Sequence, residues 1–297
     1  MMSSLKIRLF GQISVDRDGE SLRGLSAKAM ELLCYLLLHR ERGHAREALA
    51  GRLWPDSSES LARKYLRQAI WRLQSALVGS DLLIAHSGWI RINPKAVLWL
   101  DVAAFEEAHD IYRDTPGREL TDRQAQALEV AVALYRGELI EAWYQDWCVY
   151  ERDRLQLVYL AMMEQLMSNC EARQRYTQGV AYGQRILRYD PARECTHRNL
   201  MRLYYQAGDR TTALRQYERC AAATAKEFNV PPSRETVALY HQVRGDRLGT
   251  APDIAGAGSE VLRGLQASLD HIQASLTALQ GQVQQHLAPA GQMQEAG

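Results

Sequence analysis

The segment from Ser60 to Gly79 constrains the fold of this chain more than any other. Its apolar residues recur three and four positions apart, which places them on one stripe of an α-helix: Leu66, Ile70, Leu73 and Leu77. Four cations fall largely off that stripe, and no acidic residue occurs between Glu59 and Asp81: Arg63, Lys64, Arg67 and Arg72. A helix with an apolar back and a polar face of one charge suits a phosphate-lined groove, although an ordinary amphipathic helix with solvated arginines has the same pattern.

The positive charge of the chain is concentrated towards its N-terminus. Residues 1–100 carry 15 Lys+Arg and 9 Asp+Glu, a net charge of +6, whereas residues 101–245 carry a net −2 and residues 246–297 a net −3. The five cysteines have no C-x-x-C spacing, which indicates reduced thiols that pack between helices. No apolar run approaches the length of a membrane span, and the first ten residues lack signal-peptide features. We therefore expect a cytoplasmic, nucleoid-associated protein with no membrane contact.

Residues 1–100 show a fixed order of secondary-structure patterns. Period-two alternation at residues 5–15 predicts strands, and Asp18-Gly19 is a hairpin turn signal. Three helices follow, and a second hairpin signal comes after them: residues 27–38, 46–53 and 60–77, then His86-Ser87-Gly88. This order predicts a winged helix, in which the second and third helices form a helix-turn-helix and the third helix enters DNA.

The predicted third helix supplies the candidate DNA contacts. Arg63, Arg67 and Gln68 have the donors and acceptors that read guanine and adenine in the major groove. Lys64 suits a phosphate, because its point charge reads sequence poorly. Arg72 suits either a phosphate or an intramolecular ion pair with Asp56 or Glu59.

The remaining candidates near this helix and the hairpin are aromatic residues and one arginine. Arg91 alternates with Ile90 and Ile92, so it should point outward from the hairpin, while Trp89 is expected to anchor the hairpin as core. Tyr65 is expected to fill core, with a phosphate hydrogen bond as the other interpretation. An estimated four to six phosphate contacts per monomer would give modest, salt-sensitive affinity, so operator-level binding would need two linked modules.

From Asp101 onward, helical periodicity replaces strand-like alternation. Asp101 and Thr121 or Asp122 are predicted helix N-caps, and a long helix is expected over residues 147–170. Equivalent turns at Ala172 and Ala207, 35 residues apart, indicate tetratricopeptide-like helix pairs. We expect this helical array, residues 101–245, to contact proteins.

The C-terminal part carries a weaker pattern. Residues 246–258 have a linker composition, residues 259–288 have apolar residues at heptad spacing, and residues 289–297 are expected to be a disordered tail. The heptad segment predicts an amphipathic helix with two interpretations: homodimerisation through residues 259–287, or packing on the helices of its own chain.

With this order of elements the chain resembles a known family, the SARP-type transcriptional regulators. In that family an OmpR-type winged helix precedes a bacterial transcriptional activator domain. The resemblance covers residues 4 to about 245 and rests on these segments: Lys6-Ile-Arg-Leu-Phe-Gly11, Leu53-Trp-Pro-Asp56, Ala62-Arg63 with Trp71-Arg-Leu73, Leu98-Trp-Leu-Asp101, Leu134-Tyr-Arg-Gly-Glu138, Gly208-Asp-Arg-Thr-Thr-Ala-Leu214 with Tyr217, and Glu227-Phe-Asn-Val-Pro-Pro-Ser233.

This resemblance implies an activator that binds promoter DNA at direct repeats and contacts RNA polymerase holoenzyme. By position it places Arg63, Arg67, Gln68 and Arg72 on the recognition helix. Trp71 departs from the smaller polar residue usual there, which implies a different operator.

Enzymatic function is not predicted. The histidines are isolated, no G-x-S-x-G segment occurs, and no G-x-x-x-x-G-K-[ST] loop is present to bind a nucleotide, so we expect neither a catalytic residue, a metal nor a cofactor. The alternative function is a tetratricopeptide-type scaffold whose N-terminal domain contacts protein instead of DNA.

Overall fold

Strands at the N-terminal end give way to helices along the rest of the chain. The structure is a computed structural model, and it describes residues 4–248 with the exceptions of 23 and 87. Its strands are β1 (Leu5–Arg8), β2 (Ser14–Arg17), β3 (Glu20–Ser21), β4 (His44–Ala45), β5 (Leu83–Ala85), β6 (Trp89–Ile92) and β7 (Leu98–Leu100).

The helices occupy most of the described chain. They are α1 (Ala27–Leu38), α2 (Arg46–Leu53), α3 (Glu59–Ala76), α4 (Asp101–Tyr112), α5 (Asp122–Leu134), α6 (Asp146–Ala172), α7 (Tyr176–Tyr189), α8 (Glu194–Gln206), α9 (Arg210–Phe228) and α10 (Arg234–Arg244), with a 3₁₀ turn at Gly117–Glu119. Strands followed by helices is the class that the sequence predicted, and at this level the prediction is confirmed.

The seven strands of the described chain form two small sheets, one of four strands and one of three. In the first sheet the strand order is β3-β2-β1-β7, with β1 and β7 parallel and the other pairs antiparallel. The predicted turn at Asp18-Gly19 is confirmed, since both residues have positive φ (52° and 92°), as a tight hairpin turn requires. In the second sheet β6 pairs with β5 in the predicted hairpin and also with β4, which the sequence did not reveal because it has only two residues.

Local sequence signals set the helix boundaries. The side chain of Ser26 accepts a hydrogen bond from the backbone of Ala29, so it caps α1 as predicted. Helix α2 ends at Leu53, before Trp54-Pro55, and α3 runs one residue earlier at each end than the predicted 60–77. Thr121 caps α5 through a capping box with Gln124.

Asp101 has a different role from the one predicted. It is the first residue of α4, not its N-cap, and its buried carboxylate accepts hydrogen bonds from the backbone N–H groups of Leu9 and Phe10 at 2.9–3.0 Å and of Val102 at 2.8 Å. Burial raises the pKa of the Asp101 carboxyl, and the three N–H donors act in the opposite direction. The carboxylate thereby connects the segment just after β1 to the start of α4 through hydrogen bonds.

One hydrophobic core extends from the strands into the helical region. It joins β1 and α1 to α4, α5 and α6, and the rings of Phe10, Phe105, Tyr135 and Tyr159 pack on one another within it. Residues up to Val237 form one unit, and Ala238–Leu248 belong to a second. The elements before and after residue 100 therefore share one core, although the sequence pattern changes at that residue.

Helix pairs follow the turns that the sequence predicted. Helices α6 and α7 flank the turn after Ala172, and α8 and α9 flank the turn after Ala207. Gly183 of α7 lies against Leu200 and Met167 so closely that a Cβ atom would be 2.7–2.8 Å from their side chains. The predicted linker beyond residue 248, the heptad segment 259–288 and the tail 289–297 lie outside the described residues.

The cysteines of the described chain are all unpaired, and four of the five are buried. Burial raises the pKa of the Cys170 and Cys220 thiols to about 11, so these side chains are protonated packing groups at neutral pH. Within the described residues, no helix is long and apolar enough to cross a membrane, and no cluster of three metal-ligating side chains occurs.

Candidate nucleic-acid interface

Helix α3 buries one face and exposes the other. Its buried residues are Ala62, Leu66, Ala69, Ile70 and Leu73, which pack against α1 and α2. Five predicted contact residues lie exposed on the outer face in a continuous band: Lys64, Arg67, Gln68, Trp71 and Arg72. The 3.6-residue period of the sequence determined this separation.

Arg63 is exposed as well, but it is held by acidic side chains. Its guanidinium pairs with Glu59 one turn earlier on α3 and lies 3.7 Å from the carboxylate of Glu47 on α2. The sequence pattern allowed such an ion pair for Arg72 instead, with Asp56 or Glu59. In the described part of the chain, Lys64, Arg67 and Arg72 have no ion-pair partner, so their charges remain available to a ligand.

A cavity of about 450 Å³ lies along one side of α3. Arg63, Arg67 and Arg46 contribute to its wall, together with Trp89 and Gly88 of the hairpin. The Nε atom of Arg46 is buried and has no hydrogen-bond partner among the described residues. Glu47 also lines this cavity and faces Arg63, so an anion there would meet the guanidinium groups of Arg46 and Arg67 first.

A second, shallower depression lies along the opposite side of α3. Arg72 and Gln68 line it with Lys28 and Ser26 at the start of α1, and with Trp54 and Tyr65. Lys28 forms an ion pair with Glu31 at 2.8 Å. Tyr65 is half-buried and its ring lies 6.2 Å from that of Trp54, so it packs against the protein as expected.

The hairpin exposes one side chain as predicted and one that was expected to be buried. Arg91 is exposed on β6, as its alternation predicted, and lines a depression with His86 at the tip of the hairpin. Trp89 was expected to be core, but 57% of its surface is exposed. The reason is the same alternation: Ile90 and Ile92 take the buried positions of β6, so Trp89 shares the outward face with Arg91.

Two residues of this surface were missed by the sequence analysis. Arg46 begins a short helix and carried no motif, and only the fold places it beside Arg67. The outward position of Trp89 could have been found from its i+2 relation to Arg91. The surface formed by the exposed band of α3, Arg46, Trp89 and Arg91 is called the cationic face below.

Comparison with known proteins identifies the helical region. The family described as "Bacterial transcriptional activator domain" matches residues 100–244. No curated protein matches the chain. A solved structure, "Mycobacterium tuberculosis EmbR in complex with low affinity phosphopeptide", shares the fold with a TM-score of 0.65 and 19% identity, over 90% of this chain and 71% of that chain.

These findings define the class of the protein as a transcriptional regulator. Residues 100–244 carry a bacterial transcriptional activator domain, which is the domain that the resemblance to SARP-type regulators implied there.

Proposed function

We propose that this regulator binds promoter DNA through the cationic face and activates transcription from direct repeats. In this proposal residues 4–100 are a winged helix, α2 and α3 are its helix-turn-helix, and the β5–β6 hairpin is the wing. The observation that carries the proposal is the pair of cation-lined depressions, one on each side of the exposed band of α3.

This arrangement fits the geometry of duplex DNA. A major groove admits one α-helix and has a phosphate backbone along each edge. With α3 in the groove, one backbone would run past Arg46 and Arg67, and the other past Arg72 and the start of α1. Gln68 lies between these edges and has the amide that pairs with adenine.

The salt dependence of binding tests this proposal. The full chain is titrated by fluorescence anisotropy against duplexes from its own upstream region at several salt concentrations. The slope of log K against log salt is negative, and each phosphate contact that is lost makes it less steep by about 0.9. Lys64→Ala and Arg67→Ala should therefore each flatten the slope by about that amount. Arg123→Ala is the matched control, because Arg123 is exposed on α5, outside the cationic face. No binding at low salt, or equal slopes in all four proteins, would refute DNA contact by α3.

We further propose that the activator domain contacts RNA polymerase holoenzyme. Supporting this, α6 exposes Tyr150 (76%) and Leu157 (65%) two turns apart on one face, and Tyr144 is exposed just before the helix. Exposed apolar side chains grouped in this way are typical of protein contact sites.

Transcription in vitro with purified polymerase holoenzyme separates activation from DNA binding. Tyr150→Ser with Leu157→Ser should lower activated transcription and leave promoter affinity unchanged, because neither residue belongs to the cationic face. Val130→Ser serves as the control, because Val130 is exposed on α5. If the double variant activates transcription fully, Tyr150 and Leu157 do not contact the polymerase.

The alternative is a tetratricopeptide-type scaffold whose N-terminal part binds protein. It predicts no salt-dependent shift of duplex DNA, so the titration above distinguishes the two functions. Homodimerisation through residues 259–287 stays a prediction. Truncation after Thr250 should convert a dimer to a monomer in light scattering, and an unchanged mass would contradict it.

A further inference from the structure

The most unusual side chain of the cationic face is an apolar one. Trp71 stands in the exposed band of α3 with 67% of its surface open to solvent. In the described part of the chain its indole has neither a hydrogen bond nor an aromatic partner. Trp71 borders a shallow depression with Gly24 and Leu25, so packing within the chain involves only the smaller part of its surface.

The neighbours of Trp71 along α3 indicate what it would meet. Gln68 precedes it by three residues and Ser75 follows it by four, so uncharged side chains flank it on the same face. Arg67, one turn earlier, is the nearest cation towards the start of the helix. Trp71 thus has Gln68 and Ser75 as uncharged neighbours, with Arg67 one turn earlier and Arg72 next to it in the sequence.

The major groove offers one prominent apolar group, the C5 methyl of thymine. Apolar side chains make contact with that methyl, whereas tryptophan has no acceptor for the exocyclic amines of adenine and cytosine. Intercalation is a less fitting use, because apolar wedges enter base steps from the minor groove.

We propose that Trp71 is a specificity-determining residue that packs on a thymine methyl, next to the adenine that Gln68 can pair with. The operator would then contain an A·T-containing subsite opposite the second half of α3. This inference rests on the proposed DNA binding by α3 and adds to it the chemical feature of the base pair that is recognised.

The test removes the methyl group and nothing else. Preferred duplexes are first selected from a random library with the full-length chain. Each thymine of the selected site is then replaced in turn by deoxyuridine, and affinities are measured for the wild type and for Trp71→Ala. Trp71 is exposed, so the variant should fold normally, which its thermal unfolding verifies.

At one or two positions the wild type should bind deoxyuridine duplexes about fourfold more weakly, the factor that corresponds to burying one methyl-sized group. Trp71→Ala should not discriminate thymine from deoxyuridine at those positions, and Trp71→Phe should retain discrimination. Trp99→Ala is the control, because Trp99 is an exposed tryptophan on β7, outside the cationic face.

The possible results separate the inference from the function on which it rests. If the library yields no enriched duplex, both the proposed function and the inference fail. If duplexes are enriched but deoxyuridine has no effect at any position, or has the same effect on wild type and Trp71→Ala, DNA binding stands and the thymine contact is refuted. If Trp71→Ala loses affinity equally for thymine and deoxyuridine duplexes, the indole contacts the sugar-phosphate backbone of the DNA instead.

Discussion

Gly117 should tolerate no side chain, because it lies directly on the backbone of α6. A Cβ atom built on Gly117 would be 2.3 Å from the carbonyl oxygen of Gln165 and 2.9 Å from its Cα atom. Neither of these atoms can move without distorting a 27-residue helix. In Gly117→Ala the 3₁₀ turn must therefore retreat from α6.

Retreat of the turn would break the hydrogen bonds that hold it. Gln165 donates to the carbonyl oxygens of Tyr112 and Thr115 at 2.8 and 2.9 Å, and Asn169 donates to those of Gly117 and Leu120 at 3.1 and 2.9 Å. Tyr112 belongs to α4, so three of these bonds are lost with the turn: those to Thr115, Gly117 and Leu120. Three bonds at about 1 kcal/mol each, partly offset by about 0.4–1 kcal/mol from the reduced entropy of the unfolded chain, give a loss of about 2–3 kcal/mol.

Urea unfolding followed by far-UV circular dichroism measures this loss, and thermal unfolding should show a midpoint lower by about 4–12 °C. Gly51→Ala is the matched control: Gly51 is exposed on α2, and nothing lies within 4 Å of a Cβ atom built on it. This variant should gain about 0.5–1 kcal/mol of stability. A double-mutant cycle with Asn169→Ala should show a coupling of at least about 1 kcal/mol, since both changes remove the same bonds. If the free energy of unfolding of Gly117→Ala is within about 0.5 kcal/mol of the wild-type value, the close approach of Gly117 to α6 does not constrain the fold.

Three further predictions follow from single contacts. Asp101→Ala leaves the backbone N–H groups of Leu9 and Phe10, just after β1, without an acceptor and should cost about 2–4 kcal/mol in urea unfolding. A loss below about 1 kcal/mol would contradict this role. Burial lowers the pKa of His197, so the unfolded chain takes up a proton there below about pH 6.5 and stability should fall as the pH drops from 7.5 to 5.5. His197→Gln should show a weaker pH dependence, and an identical profile would exclude this histidine. Glu47→Gln removes an acidic partner of Arg63 and should strengthen DNA binding at low salt, whereas unchanged affinity would mean that the ion pair does not compete with DNA.

Elements with a strong local period could be predicted from the sequence alone. The Ser26 cap marks the start of α1, and Pro55 marks the end of α2. The apolar stripe of α3 gives the extent of that helix. The equivalent turns after Ala172 and Ala207 are also local signals. The two-residue strand β4 could not be found, because its conformation depends on pairing with β6 and not on its own residues.

The cationic face was predicted in part. Periodicity places Lys64, Arg67, Gln68, Trp71 and Arg72 on the outer face of α3, since residues on one face of a helix are fixed by spacing. Whether they contact DNA stays a prediction until it is measured.

What the sequence by itself determined is which residues share a face, because helical and strand periods act over a few positions. Only the tertiary structure decided which charges are free and which are paired. Arg63 on α3 pairs with Glu47 on α2, and Arg46 lines one cavity with Arg67. Asp101 accepts hydrogen bonds from backbone amides more than ninety positions earlier. These outcomes depend on contacts between distant segments, which no local pattern of residues encodes.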